Sequence, residues 1–139
     1  MIVVNNKHHS KQENLMIIFV YGTLMSGLQR EEALFNSAFL GTGYINGSLY
    51  DLGSYPGLKH GSGKVFGELY EIDLLTLDYL DQIEGFFVAQ PETSLYIRQA
   101  ITATKALNSE CCIAETYFYN MSVDESHKII TGDYRDYIS

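Results

Sequence analysis

The alternation of apolar and polar stretches divides most of the chain into strands. Residues 16–22, MIIFVYG, form an apolar run of the length of one buried strand. Residues 64–73 separate onto two faces with the two-residue period of a strand, and a glycine lies inside it. Glycine and aromatic residues in 39–53 favour a long bent strand or a bulged pair. The pattern predicts two further strands, over residues 93–104 and 111–120.

Helical spacing of the apolar residues replaces this alternation in two places. The longer helix begins after Asp73, which can cap it, and continues through LLTLDYLDQIE until Gly85 ends it. A short helix is predicted over residues 30–35, REEALF. Residues 54–58 predict a turn around a Pro-Gly pair, and the tail from residue 131 is predicted to be irregular.

The order of these elements predicts one α+β domain. The helices do not alternate regularly with the strands, which disfavours a doubly wound parallel sheet. About five strands, several of them kinked at glycine, in a chain of 139 residues favour a curved sheet that closes into a small β-barrel with helices packed outside. We expect residues 16–139 to form this domain and the mostly polar residues 1–15 to form a flexible leader.

Charge and cysteine usage narrow the possible partners. The chain has 17 acidic and 9 basic residues and a net charge of −8, which argues against nucleic-acid binding. Its apolar runs are too short to cross a bilayer. Cys111 and Cys112 are adjacent and would point to opposite faces of a strand, so reduced thiols in a cytoplasm are the simpler interpretation. The histidines form no metal-ligand spacing with them, and no metal site is predicted.

An acid on the apolar face of the longer helix is the first candidate for chemistry. At about 100° per residue, Glu84 falls between Leu77 and Leu80, so its carboxylate faces the core if those leucines do. Burial and the negative end of the helix dipole would both raise its pKa, which suits a proton carrier near neutral pH. A solvated glutamate in a frayed last turn is the alternative. Asp78 and Asp81 are interpreted as solvated or capping residues.

The turn after the first strand, Tyr21-Gly22-Thr23-Leu24, is the second candidate. A plain connection favours Asn, Asp or Pro. A glycine beside a hydroxyl residue suggests instead that the turn presents its own backbone N–H groups to a ligand. Strand-then-glycine turns are common, however, and a purely structural turn stays open on these residues alone.

Taken together, these stretches resemble the γ-glutamylcyclotransferase-like proteins, in particular the γ-glutamylaminecyclotransferase and AIG2-like group. VYGTLMSG (20–27) is similar to the family's Y-G-[ST]-L loop, and GYINGSLYDLGSYPGL (43–58) to its second block. VFGELYEID (65–73) and LDYLDQIEGF (77–86) are similar to a third block, which ends in an acid before glycine. GDYRDY (132–137) resembles a terminal G-D-W-R-x-Y pattern, and the matches occur in the family's order.

The resemblance implies a small mixed β-barrel with flanking helices and an intramolecular reaction. The α-amine of a γ-glutamyl amine or γ-glutamyl amino acid attacks its own γ-carbonyl, which closes 5-oxoproline and expels the amine. Glu84 matches the family's catalytic glutamate, which would move the proton between the two nitrogens. Residues 21–24 would bind the glutamyl carboxylate or the developing oxyanion through their N–H groups. No metal or organic cofactor is implied.

Other matched or departing positions keep more than one interpretation. Tyr119 matches a tyrosine that the family places near the pocket, and both substrate binding and packing in the barrel wall are open. The Tyr55-Pro56 pair suits a pocket rim or a structural role. Arg98 could bind a carboxylate or form an ion pair. Glu115 and Tyr134 stand where members of the family carry tryptophan, which affects substrate choice and the role of the tail.

The leading hypothesis is therefore a cytoplasmic γ-glutamyl cyclotransferase. A binding module that holds a small acid in the same pocket without converting it is one alternative. A hydrolase in which Glu84 activates water is another. The amine half of the substrate and the oligomeric state are not predicted.

Overall fold

The strands of residues 15–139, the part of the chain that this computed structural model describes, close into one barrel. The strands are β1 (Met16–Val20), β2 (Ala38–Asp51), β3 (Pro56–Ile72), β4 (Tyr96–Lys105) and β5 (Cys111–Tyr119). The α-helices are α1 (Leu74–Glu84) and α2 (Tyr134–Ile138), and short 3₁₀ helices occupy Glu31–Leu34, Pro91–Thr93 and Glu125–His127. The predicted leader, residues 1–15, lies outside the described residues except for Leu15.

The barrel has the order β1-β3-β2-β4-β5 and closes where β5 pairs in parallel with β1. Every other pairing is antiparallel, so the predicted small mixed barrel is confirmed. Register shifts between Phe39 and Gly41 and between Asn46 and Ser48 interrupt the β2–β3 ladder. Such bulges bend and twist a strand pair, which lets two long strands curve around the barrel.

Close packing at the end of β1 explains the glycine inside β3. A Cβ atom on Gly67 would lie 2.2 Å from the carbonyl oxygen of Val20, so no side chain fits there. β1 therefore lies directly against β3 up to Val20, the last residue of β1. The turn that follows Val20 lies at the end of the barrel.

Several predicted boundaries are wrong for identifiable reasons. β1 ends at Val20 rather than residue 22, because the chain turns away from β3 at that point. β3 begins at Pro56 rather than residue 64, and Pro56 already pairs with Asp51, so the predicted turn over 54–58 is shorter. A proline is tolerated there because the first residue of a strand can lack an N–H donor.

The predictions for the short helix, the start of β4 and the tail need similar corrections. Residues 30–35 form only the 3₁₀ helix Glu31–Leu34, and residues 93–95 precede β4. The tail is not irregular, because α2 forms there and the Asp133 side chain accepts a hydrogen bond from the N–H of Asp136.

Helix α1 has the predicted bounds and caps, and it packs on the barrel through the predicted leucines. The Asp73 side chain accepts a hydrogen bond from the N–H of Thr76, and Gly85 ends the helix in the left-handed conformation. Leu77 and Leu80 are buried in the hydrophobic core. Glu84, the last residue of α1, lies at the end of the barrel, near the turn that follows β1. Within residues 15–139, no helix has the length and apolar content of a membrane span.

Candidate active site

A cavity lies where the turn after β1 meets the C-terminal end of α1 and the walls of the barrel. About 540 Å³ of empty space lies between its lining residues, counted out to where the cavity opens to solvent. Buried residues such as Phe19, Tyr96 and Tyr117 form its inner wall. Arg30, Tyr55, Ile83 and Leu95 are more exposed and form what we call the rim.

The turn Tyr21-Gly22-Thr23-Leu24 lines this cavity along its whole length. Two hydrogen bonds hold its carbonyls, from the N–H of Met25 to Gly22 at 3.0 Å and from the N–H of Arg30 to Thr23 at 2.7 Å. Among the described residues, by contrast, none accepts a hydrogen bond from the N–H groups of Gly22, Thr23 or Leu24. These three donors therefore have no partner among residues 15–139, on a turn that lines the cavity.

Gly22 and Tyr21 fit tightly into the wall of the cavity. A Cβ atom on Gly22 would lie 2.8 Å from a ring carbon of Pro56, so a side chain would push the turn and β3 apart. The Tyr21 hydroxyl is buried and donates to the carbonyl of Tyr117 at 2.6 Å. The Tyr21 side chain thus links the turn to β5, and its hydroxyl proton is already donated within the protein.

Glu84 points into the same cavity from the last residue of α1. Its carboxylate accepts no hydrogen bond from any described residue and forms no ion pair with one. Burial raises its pKa from 4.5 to about 7, and the positive charge of Arg30 partly opposes this shift. The structure thus brings together Glu84 and residues 21–24, which are more than 50 positions apart in the sequence.

The tyrosines beside Glu84 are not suited to carry protons at neutral pH. Burial, and then the neighbouring Glu84 carboxylate, raise the pKa of Tyr96 far above its ordinary value. Burial also raises the pKa of Tyr117, and its hydrogen bond to Asp81 adds to the shift. Both hydroxyls are already used as donors, from Tyr96 to the Pro56 carbonyl at 2.7 Å and from Tyr117 to Asp81 at 2.6 Å. Glu84 is the lining group whose pKa lies near 7.

Asp81 is not the solvated or capping residue that the sequence suggested. It is buried, and it accepts hydrogen bonds from the Tyr117 hydroxyl and from the Arg98 Nε at 2.9 Å. Arg98 also pairs with Glu115 at 2.6 Å, so of the two roles left open by the sequence it has that of an ion-pair partner. Together they attach α1 to β4 and β5, one turn before Glu84. Asp78, in contrast, is exposed as expected.

The back of the turn is held by the tail of the chain. The Glu68 carboxylate is buried and accepts from the Ser26 N–H at 2.8 Å and from the Tyr70 hydroxyl at 2.9 Å. Arg135, in α2, donates to Glu68 at 3.0 Å and to the Ser26 carbonyl at 2.6 Å. The terminal G-D-Y-R stretch therefore stabilises the segment that follows residues 21–24.

Tyr119 lies outside the lining of this cavity, beside Tyr96. The centroids of the two rings are 5.4 Å apart, and the Tyr119 carbonyl accepts from the Lys59 ammonium at 3.0 Å. Direct contact of Tyr119 with a substrate stays a prediction. Tyr55 lies at the rim, and its ring centroid is 6.3 Å from that of Tyr96.

Sequence reasoning missed several residues of the cavity. Tyr96 and Tyr117 reach it through the pairing of β4 with β5, which no local pattern reveals. Arg30 could have been found, because it follows the turn within ten residues and is one of only three arginines in the chain. Among residues 15–139, no cluster of three or more His, Cys, Asp or Glu side chains could hold a metal ion.

Comparison with known proteins identifies what this arrangement is similar to. The sequence matches the family model described as gamma-glutamyl cyclotransferase, AIG2-like, over residues 18–136. It is 36% identical over 122 residues to the gamma-glutamylcyclotransferase family protein YtfP of Escherichia coli (strain K12), covering 87% of this chain and 97% of that protein.

Two further relatives extend the similarity to an enzyme with a named substrate and to a solved structure. Gamma-L-glutamyl-butirosin B gamma-glutamyl cyclotransferase of Niallia circulans is 32% identical over 105 residues, which is 74% of this chain and 66% of that protein. The crystal structure of an AIG2-like protein from Mus musculus superimposes with a TM-score of 0.68 at 26% identity. That match covers 81% of this chain and 82% of the mouse chain.

Proposed function

Because this chain belongs to the AIG2-like γ-glutamyl cyclotransferase family, we propose that it converts a γ-glutamyl amine or γ-glutamyl amino acid into 5-oxoproline and a free amine. Family membership makes the chain a γ-glutamylcyclotransferase-like enzyme. Its substrate and product are what we propose. One observation carries the proposal. An unpaired carboxyl group whose pKa is about 7 shares a cavity with three unused backbone N–H donors.

Binding of the glutamyl half is the first step. The N–H groups of Gly22, Thr23 and Leu24 would bind its carboxylate or the oxygen of its γ-carbonyl. The buried inner wall restricts the remaining volume and favours a folded glutamyl chain, with the α-amine close to the γ-carbon. Holding the two reacting groups of one molecule together in this way can account for a large part of the acceleration.

Proton transfer through Glu84 is the second step. The carboxylate accepts one proton from the α-ammonium group, and the freed nitrogen attacks the γ-carbon to form the new C–N bond. Glu84 then returns that proton to the leaving nitrogen as the old C–N bond breaks. The remaining extra proton of the ring nitrogen passes through the same carboxylate to the released amine. The reaction therefore neither consumes nor releases protons overall.

A pKa near 7 suits both halves of this cycle. A carboxyl group with its ordinary pKa of 4.5 would be a poor donor to the leaving nitrogen, whereas one near 7 can accept and donate at similar cost. A cytoplasmic location is part of the proposal, because the adjacent thiols of Cys111 and Cys112 suit a reducing compartment.

A screen of γ-glutamyl compounds with mass analysis of the products tests the proposal. We expect 5-oxoproline and the free amine in equal amounts, and we expect Glu84→Gln to release neither. Free glutamate instead of the lactam would show that water attacks, as in a hydrolase. Binding of γ-glutamyl compounds in calorimetry with no product after hours would show a binding module.

A further inference from the structure

Arg30 is a positively charged side chain at the rim of the cavity. Its backbone N–H donates to the Thr23 carbonyl at 2.7 Å, which ties the residue to the turn of residues 21–24. Its guanidinium carbon lies 6.0 Å from the centroid of the Tyr55 ring, and the side chain is half-buried. Arg30 is thus held beside the opening rather than extended into solvent.

The guanidinium group of Arg30 has no carboxylate partner among residues 15–139. The other two arginines of the chain are both paired, Arg98 with Asp81 and Glu115, and Arg135 with Glu68. An arginine matches a carboxylate with two parallel hydrogen bonds, which makes it a selective ligand for that group. An unpaired arginine at the opening of a binding cavity is therefore suited to a carboxylate that arrives with the substrate.

A γ-glutamyl amino acid carries two carboxylates, and the cavity offers them different positions. The glutamyl half is expected at the turn of residues 22–24, where Gly22 and Leu24 are buried. Arg30 lies at the more exposed rim, together with Tyr55 and Leu95.

 

The rim is also the side of the cavity from which an expelled amine can leave. We therefore expect the leaving half to lie at this opening, beside the Arg30 side chain.

Arg30 and Glu84 line the same cavity without forming an ion pair. The two side chains are too far apart for an ion pair, yet the charge of Arg30 still acts on the Glu84 carboxyl. Glu84 must contact the leaving nitrogen in order to protonate it. In an amino acid the carboxylate is attached one carbon away from that nitrogen, so a leaving nitrogen at Glu84 brings its carboxylate into the cavity that Arg30 also lines.

We propose that Arg30 binds the carboxylate of the leaving amino acid, so that the chain prefers γ-glutamyl amino acids to γ-glutamyl amines that lack this group. The proposal rests on the proposed function, because it assigns the amine half of the same substrate. It makes Arg30 a specificity-determining residue, and it gives the reaction two products that are both acids.

Two substrates that differ only in this carboxylate test the proposal. γ-Glutamyl-alanine carries it, whereas γ-glutamyl-ethylamine has a hydrogen atom in its place. We expect kcat/KM of the parent to be roughly 10- to 100-fold higher for γ-glutamyl-alanine, as for other charge-assisted hydrogen bonds. In Arg30→Gln this ratio should fall to near one, and Arg30→Lys should keep part of it. Assays at pH 8.5 keep Glu84 ionised in every variant.

Lys128→Gln is the matched control, because it also removes one positive charge, from an exposed residue outside the cavity lining. It should leave the ratio unchanged. An equal loss for both substrates in Arg30→Gln would overturn the proposal, because it would mean that Arg30 binds the glutamyl half. Release of 5-oxoproline from either substrate supports the proposed function separately. Absence of 5-oxoproline from both would overturn the proposed function and the role of Arg30 with it.

Discussion

Asp81 and Glu84 are two acids on the same helix, one turn apart, and they differ most in their hydrogen-bond partners. Asp81 is buried and accepts hydrogen bonds from the Tyr117 hydroxyl and the Arg98 guanidinium. Glu84 is partly buried and has no such partner among the described residues. Burial alone therefore does not distinguish a structural acid from a reactive one.

The difference shows how one helix can serve two purposes. A buried carboxylate that receives several hydrogen bonds is fixed in its charged form and holds the elements around it. A carboxylate that receives none is destabilised when charged, and it becomes a proton carrier at neutral pH. Asp81 thus positions α1 against β4 and β5, and the position of α1 determines where the Glu84 carboxyl lies.

The largest expected effect is the loss of catalysis in Glu84→Gln. The amide has nearly the same shape but cannot carry a proton, so kcat for 5-oxoproline release should fall by about 10²- to 10⁴-fold or more. Initial rates with a γ-glutamyl substrate measure this, and circular dichroism checks that the fold is retained. Equal rates for variant and parent would remove Glu84 from the mechanism.

A loss of stability in Asp81→Asn is the next largest effect. The substitution leaves Arg98 without its main partner in a largely buried position, which should lower the free energy of unfolding by about 2–4 kcal/mol. Urea denaturation measures the change. Asp78→Asn, on the exposed side of α1, is the control and should change stability by less than about 0.5 kcal/mol. If the two variants are equally stable, Asp81 does not attach α1 to the barrel.

The pH dependence of stability tests the surroundings of Glu84 separately. The Glu84 carboxyl releases its proton near pH 4.5 in the unfolded chain and near pH 7 in the folded one. The folded state thus binds more protons between these values, and its stability falls as the pH rises from 4.5 to 7. Glu84→Gln lacks this penalty and should be more stable than the parent by about 1–3 kcal/mol at pH 8. At pH 4.5 the advantage should be absent, and an equal difference at both values would contradict the assigned shift.

The smallest effect is a change in the pH profile of Arg30→Gln. The positive charge of Arg30 lowers the pKa of Glu84, so its removal should raise that pKa. The rising limb of kcat/KM for γ-glutamyl-ethylamine should then move to higher pH. Lys128→Gln should leave the limb in place, and a shift to lower pH in Arg30→Gln would contradict the through-space effect.

The sequence predicts the position of Glu84 better than the structural role of Asp81. Helical spacing from Leu77 and Leu80 places Glu84 on the buried face, and both leucines are buried. The same spacing puts Asp81 four residues after Leu77, on that face too. Its partners could not be predicted, because Arg98 and Tyr117 meet only through the pairing of β4 with β5.

The turn of residues 21–24 and the start of β3 show the same limit of prediction from local sequence. The glycine and the strand before it mark residues 21–24 as a turn, but only the closed barrel places that turn opposite the end of α1. The extension of β3 back to Pro56 was missed because a Pro-Gly pair is a strong local turn signal, and the pairing with Asp51 overrides it. Local chemistry is thus visible in the sequence, whereas contacts between distant strands are not.

A carbon-13 NMR titration of the glutamate side-chain carboxyls, recorded for the parent and for Glu84→Gln, tests most directly whether the cavity holds an unpaired acid. The resonance that is missing from the variant belongs to Glu84. We expect that resonance to titrate with a midpoint near pH 7 in the parent, as burial without a partner requires. A midpoint near 4.5 would show that the Glu84 carboxyl is solvated or paired, and it would contradict its role as the proton carrier.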